Sequence, residues 1–116
     1  MSKVKQRLVS ILTAIEDIEY ITNNLDLKIT KAIEDRLVKP AIRMNLMQIA
    51  EQFKKLKHDN EFETLQNFSS LDLKGISALR NYIAHDYDST DEHIIEDVIR
   101  YNLPKFKEIV ERLLKD

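Results

Sequence analysis

The stretch richest in chemistry is Arg80-Asn81-Tyr82-Ile83-Ala84-His85-Asp86-Tyr87, which spells R-x4-H-x-Y with an amide directly after the arginine. Arginine and histidine together suit phosphodiester chemistry without a metal. The guanidinium offers a fixed fork of donors to phosphate oxygens and keeps its charge. The imidazole takes or gives a proton near neutral pH. In-line cleavage of RNA needs both a base and an acid, and the segment holds a single histidine. A symmetric dimer would bring two histidines to one groove, so the chemistry itself predicts dimerisation. A bland reading stands beside this one: a helix-end ion pair with Asp86 or Asp88, and Tyr87 as a packing residue.

The elements that must hold this segment are helical. Val4, Leu8, Ile11, Ile15 and Ile18, widened by Val9, Leu12 and Ile21, put one apolar face on a helix from about Ser2 to Asn24. Asn23, Asn24 and Asp26 end it. Thr30 is placed to N-cap a short helix from Lys31 to Leu37. Pro40 fits the first turn of a second long helix, whose inner face carries Ile42, Leu46, Ile49, Phe53 and Leu56 and which should end near His58 to Asn60. A loop follows, with one helical turn around Phe62. Ser69 or Ser70 can cap a third long helix, with Leu73, Ile76, Leu79 or Arg80, and Ile83 facing inward. Arg80 and His85 then fall in its last turns, where the negative end of the helix dipole favours positive charge. Gly75 costs this helix on the order of 1 kcal/mol relative to alanine, and a close helix contact would explain it. The last helix opens on the capping box Ser89-x-x-Glu92 and runs from Ile94 to Leu114, with Pro104 expected to kink it near Arg100. No segment has strand periodicity, and there is no repeat. The expected fold is all-α: a bundle of four long helices with additional short helices and a kinked C-terminal helix, one domain over residues 1–116.

Composition narrows the function. In 116 residues there is one glycine, which argues against a glycine-rich phosphate loop, and no cysteine, which excludes disulfides, thiolate nucleophiles and cysteine zinc sites. The formal net charge of −2 is not the overall footprint of a nucleic-acid binder, so RNA must be met by a local patch. Residues 28–57 hold eight lysines or arginines against Glu34, Asp35 and Glu51, a local net of +5. Arg36, Lys39 and Arg43 are the RNA-binding candidates from this tract; Lys54, Lys55 and Lys57 read as plain surface. Leu8 to Ile15 is too short to span a bilayer, and a soluble cytoplasmic protein without membrane contact is expected. His58 and His93 read as surface residues. The acidic run Asp86, Asp88, Asp91, Glu92, Glu96 and Asp97 reads as a solvated face, so no metal and no cofactor is expected. Tyr20, Tyr82 and Tyr101 read as packing residues with a wet hydroxyl.

The segment Arg80 to Tyr87 resembles the R-x4-H-x-Y signature of HepT-like toxins, in the HEPN superfamily. Ala41-Ile42-Arg43-Met44-Asn45-Leu46-Met47-Gln48-Ile49-Ala50-Glu51 resembles that family's A-x-x-R-x-L-x-x-I-G-E stretch, with Ala50 in place of the glycine. Leu103-Pro104 resembles its leucine–proline in the last helix, and the likeness runs over nearly the whole chain. A frequent tryptophan before the third helix is absent, with Phe68 or Leu71 to fill its place. The resemblance implies an antiparallel HEPN bundle that forms a homodimer or higher oligomer, its two R-x4-H segments facing a shared cleft. It implies a metal-independent endoribonuclease, the toxin of a type II-like toxin–antitoxin pair. By match, Arg80 would bind the scissile phosphate, His85 would transfer the proton, Asn81 would orient the site, and Arg43 would lie near the cleft. The ribose 2′-hydroxyl would be the attacking group. The implied partner is an MNT-type minimal nucleotidyltransferase antitoxin that transfers AMP to the tyrosine matching Tyr87. The added phosphate would pair with Arg80 and close the pocket to RNA. The alternative is a non-catalytic HEPN nucleotide- or substrate-binding subunit of a nucleotidyltransferase, which has no need of a proton-transfer histidine. A structural helical adaptor is a third reading, disfavoured by the polar cluster at one helix end.

Overall fold

The computed structural model describes residues 2–24, 28–85 and 92–116, without the side chain of Asn24, and is helical with no strand among them. The first helix, α1 (Lys3–Glu19), starts where the Ser2 side chain accepts the Lys5 backbone N–H. It buries Leu8, Ile11, Ala14, Ile15 and Ile18, while Val9 faces outward. The chain does not continue as α-helix to Asn24 as its periodicity suggests. Tyr20–Asn24 widens into a π-helical turn. Thr22 offers a reason: its hydroxyl donates back to the Ile18 and Glu19 carbonyls, at 3.2 and 3.3 Å, a contact that bends helices.

The expected helix over Lys31 to Leu37 is displaced. The short helix is α2 (Ile29–Ala32), and its N-cap position is Lys28. Thr30 lies inside α2, and its hydroxyl donates to Glu96 at 2.8 Å instead of capping. The turn beyond is organised by Asp35, whose carboxylate accepts the Leu37 and Val38 backbone N–H groups at 2.9 Å each. That local hydrogen bonding competes with helix and wins there.

Pro40 does sit in the first turn of α3 (Lys39–His58), the longest helix. Its end is a Schellman motif: Glu61 N–H donates to the Leu56 carbonyl and Asn60 N–H to that of Lys57, with Asn60 at φ 60°. Asparagine takes the left-handed position that glycine usually fills. The single turn α4 (Phe62–Leu65) leads to α5 (Ser70–His85). The last helix is broken into α6 (Glu92–Asp97), a π-helical turn (Val98–Asn102) and α7 (Leu103–Lys115). The irregularity expected from Pro104 is therefore present, as a π-turn. The Leu103 N–H reaches back five residues to the Val98 carbonyl, and Pro104 falls in the first turn of a new helix, where its missing donor costs little. Ser89, the other half of the expected capping box, lies outside the described residues.

Packing follows the apolar stripes. α1 lies against α3 and α7, and α3 lies against α5. Arg7, near the start of α1, pairs with Asp59, just past the end of α3, at 3.0 Å, so these two helices run antiparallel. That hydrogen bond holds the Asp59 carboxyl below its ordinary value. The bundle centre is a cluster of isoleucines and leucines with Phe53, Phe68 and Phe106, whose rings meet edge-on or tilted at 5.0 to 5.9 Å. Phe68 thus occupies the core position before α5; Leu71 is 77% exposed. Tyr20, Tyr82 and Tyr101 are exposed, contrary to their reading as packing residues. Among the described residues no helix is long and apolar enough to cross a membrane.

Gly75 has no close neighbour among the described residues: a Cβ built there meets none of them within 4 Å. The expected close helix contact is absent, and only the propensity cost remains. Gly75→Ala should therefore raise the unfolding free energy by about 0.5–1 kcal/mol in urea denaturation. A loss of stability would show a constraint on this helix that the packing does not reveal.

Candidate active site

Three buried residues, Ile76, Leu79 and Ile83, set the rotation of α5 about its own axis. With about 100° per residue, that phase puts Arg80 at the edge nearest α3 and turns Asn81 and His85 outward together, one turn apart. The side chains agree. Arg80 is 29% exposed, and Asn81 and His85 are exposed at the helix end.

Arg80 is oriented by two neighbours. Its Nε donates to Glu51 Oε1 of α3 at 2.7 Å, and an Nη donates to Asn81 Oδ1 at 3.3 Å. Among the described residues these are its two side-chain contacts, and the guanidinium fork carries further donors that an anion can use. His85 is the last helical residue of α5 and makes no hydrogen bond or ion pair among the described residues. Five residues separate Arg80 from His85, about 140° around the helix, so a single chain does not turn the imidazole onto its own guanidinium. Asp86 and Tyr87, the rest of the segment, lie outside the described residues.

Glu51, the partner of Arg80, is a residue that the sequence alone did not single out. It closes the Ala41–Glu51 stretch, and its carboxylate position on α3 was the available signal. Arg43, from the same stretch, is placed differently from expectation. It is 1% exposed, and its guanidinium donates to Glu92 Oε1 at 2.8 Å. Lys39 reaches the same oxygen at 3.1 Å. A buried arginine on a carboxylate ties the start of α3 to the start of α6, and it is not presented to an external phosphate as an RNA contact would be. Of the three RNA candidates, Arg36 alone is exposed, in the turn before α3.

The family of HepT-like ribonucleases matches residues 11–113. The chain belongs to this family, within the HEPN superfamily. Three proteins of the archaeon Methanocaldococcus jannaschii are similar over 97% of this chain. "Putative RNase MJ0125" is 25% identical across 92% of its own length. "Putative RNase MJ1216" is 25% identical and "Putative RNase MJ0127" 26% identical, each across 88% of its length. No solved structure matches. In this HepT-like chain, then, the arginine of the R-x4-H-x-Y segment is the residue that Glu51 and Asn81 hold.

The Glu51–Arg80 pair should matter little to stability, since both side chains are about 30% exposed. Glu51→Ala is expected to unfold within about 1 kcal/mol of wild type in urea. A loss above about 3 kcal/mol would make the pair part of the core and not a device for aiming Arg80.

Proposed function

We propose that the chain is a metal-independent endoribonuclease that acts in the cytoplasm as the toxin of a toxin–antitoxin pair, with two R-x4-H-x-Y segments meeting across a homodimer. The observation that carries this reading is the posture of Arg80: partly exposed in the C-terminal half of α5, aimed by Glu51 and Asn81, with His85 open to solvent one turn beyond Asn81. Family membership and the relatives named as RNases support it.

The chemistry divides between the two subunits. Arg80 binds the scissile phosphate and offsets the charge that builds on its oxygens. One His85 takes the proton of the ribose 2′-hydroxyl as that oxygen attacks phosphorus. The partner's His85 gives a proton to the departing 5′-oxygen. The new bond is from the 2′-oxygen to phosphorus and the broken bond is from phosphorus to the 5′-oxygen, which leaves a 2′,3′-cyclic phosphate and a 5′-hydroxyl. Separation of Arg80 and His85 around α5 suits this division, because each imidazole can face the other chain's guanidinium. Asn81 holds the near edge of Arg80.

Purified protein should cleave RNA in EDTA, and His85→Ala should cut the rate by about 10²- to 10⁴-fold, read on denaturing gels. Equal cleavage by His85→Ala would overturn the assignment of the proton-transfer residue. Intact RNA after long incubation with wild type, with a stable nucleotidyltransferase complex, would favour the binding-subunit reading instead.

The antitoxin is proposed to be an MNT-type nucleotidyltransferase that places AMP on Tyr87. Its phosphate, two residues from His85, would pair with Arg80 and exclude RNA. Coexpression should add one or more AMP masses to the peptide that contains Tyr87, measured by mass spectrometry. An unmodified peptide in a neutralised complex would show steric blocking instead.

A further inference from the structure

An open groove runs between the C-terminal half of α3, α4 and the N-terminal part of α5, and ends at Arg80 and Asn81. Its floor is apolar, with Phe53 and Ile76, and its far end is Phe62, a phenylalanine left 58% exposed. Its rim is basic: Lys54, Lys57, Lys74 and Arg80 line it, with His58, and among the described residues no aspartate or glutamate lines it. This is unusual in a chain with a net charge of −2. Glu51 answers Arg80, but no carboxylate among the described residues pairs with Lys54, Lys57 or Lys74.

We propose that this groove binds single-stranded RNA, with Lys54, Lys57 and Lys74 on backbone phosphates and Phe62 stacking a base, and that it leads the strand to Arg80. The inference rests on the ribonuclease reading and extends it from the scissile phosphate to the flanking strand. Charge complementarity argues for a polyanion. The exposed aromatic ring beside cations argues for unpaired bases, because a duplex has no free base face to stack. Continuity with Arg80 gives the strand a direction. Ser70 to Asn81 spans about 16 Å of helix, enough for a few nucleotides. A basic groove joined to a phosphate-binding arginine thus replaces the buried Arg43 as the means of meeting RNA.

The test is binding of a fluorescein-labelled 2′-O-methyl oligouridine of about twelve nucleotides, read by anisotropy. Its blocked 2′-oxygen cannot attack, so binding is read apart from cleavage. The triple variant Lys54→Glu, Lys57→Glu, Lys74→Glu should bind at least about tenfold more weakly, and the slope of log affinity against log salt should fall by about 2. Phe62→Ala should weaken binding about fivefold or more with the salt slope unchanged. Lys5→Glu, Lys31→Glu, Lys115→Glu makes the same charge change on exposed positions of α1, α2 and α7 and should bind within about twofold of wild type at moderate salt. Equal loss in both triple variants would reduce the effect to net charge and overturn the groove. So would groove variants that bind as wild type does, or that turn a dimer into monomers by size-exclusion chromatography, which would make the groove a subunit contact. If the groove variants lose binding while wild type cleaves no natural RNA, the RNA groove stands and the ribonuclease reading falls.

Discussion

The rotation of α5 is the constraint on which the site depends. Ile76, Leu79 and Ile83 are buried against the bundle, and each contributes on the order of 1.5–3 kcal/mol by leaving water. A turn of the helix by one residue would expose them and would drive Arg80 or Asn81 into the core. With the phase so held, Arg80 meets α3 and finds Glu51, whereas Asn81 and His85 face out. The guanidinium is thereby aimed by a neighbouring helix, and the imidazole is exposed on the outer side of α5. One apolar stripe accounts for both.

The fate of the basic residues shows what tertiary packing adds. Arg43 and Lys54 are eleven residues apart on α3, about three turns, so they share a face. Periodicity cannot tell them apart. Glu92, at the start of α6, lies on Arg43 and draws it into a buried pair that Lys39 joins. Near Lys54 the chain has turned away through Asn60 and the one-turn α4, and the face is left open as a groove. The tract that looked like one patch is divided in two, one part spent inside the protein and the other presented to solvent. The more basic-looking arginine is the internal one.

The irregular points of the fold have local causes that are simple but hard to rank beforehand. Thr22 bonds back to two carbonyls where α1 gives way to a π-turn. Asp35 captures two backbone N–H groups and stops the short helix that Thr30 was expected to start. Pro104 is absorbed by a π-turn just before it. At Thr22 and Asp35 a side chain competes with the helical ladder for the same backbone groups, whereas Pro104 removes a donor from the ladder; differences of about 1 kcal/mol decide such outcomes.

The four long helical segments, their apolar faces, the place of Pro40 in the first turn of α3 and the end of that helix near Asn60 could all be read from residue spacing, because a 3.6-residue period leaves its mark on the chain itself. The R-x4-H segment was equally plain, since it is contiguous. The partner of Arg80, the burial of Arg43 and the open groove at Lys54 and Lys57 were not, because each depends on which helix lies over a given face. That choice is made by contacts between residues far apart in the chain, such as Glu51 with Arg80 and Arg43 with Glu92, and a periodic pattern carries no record of them.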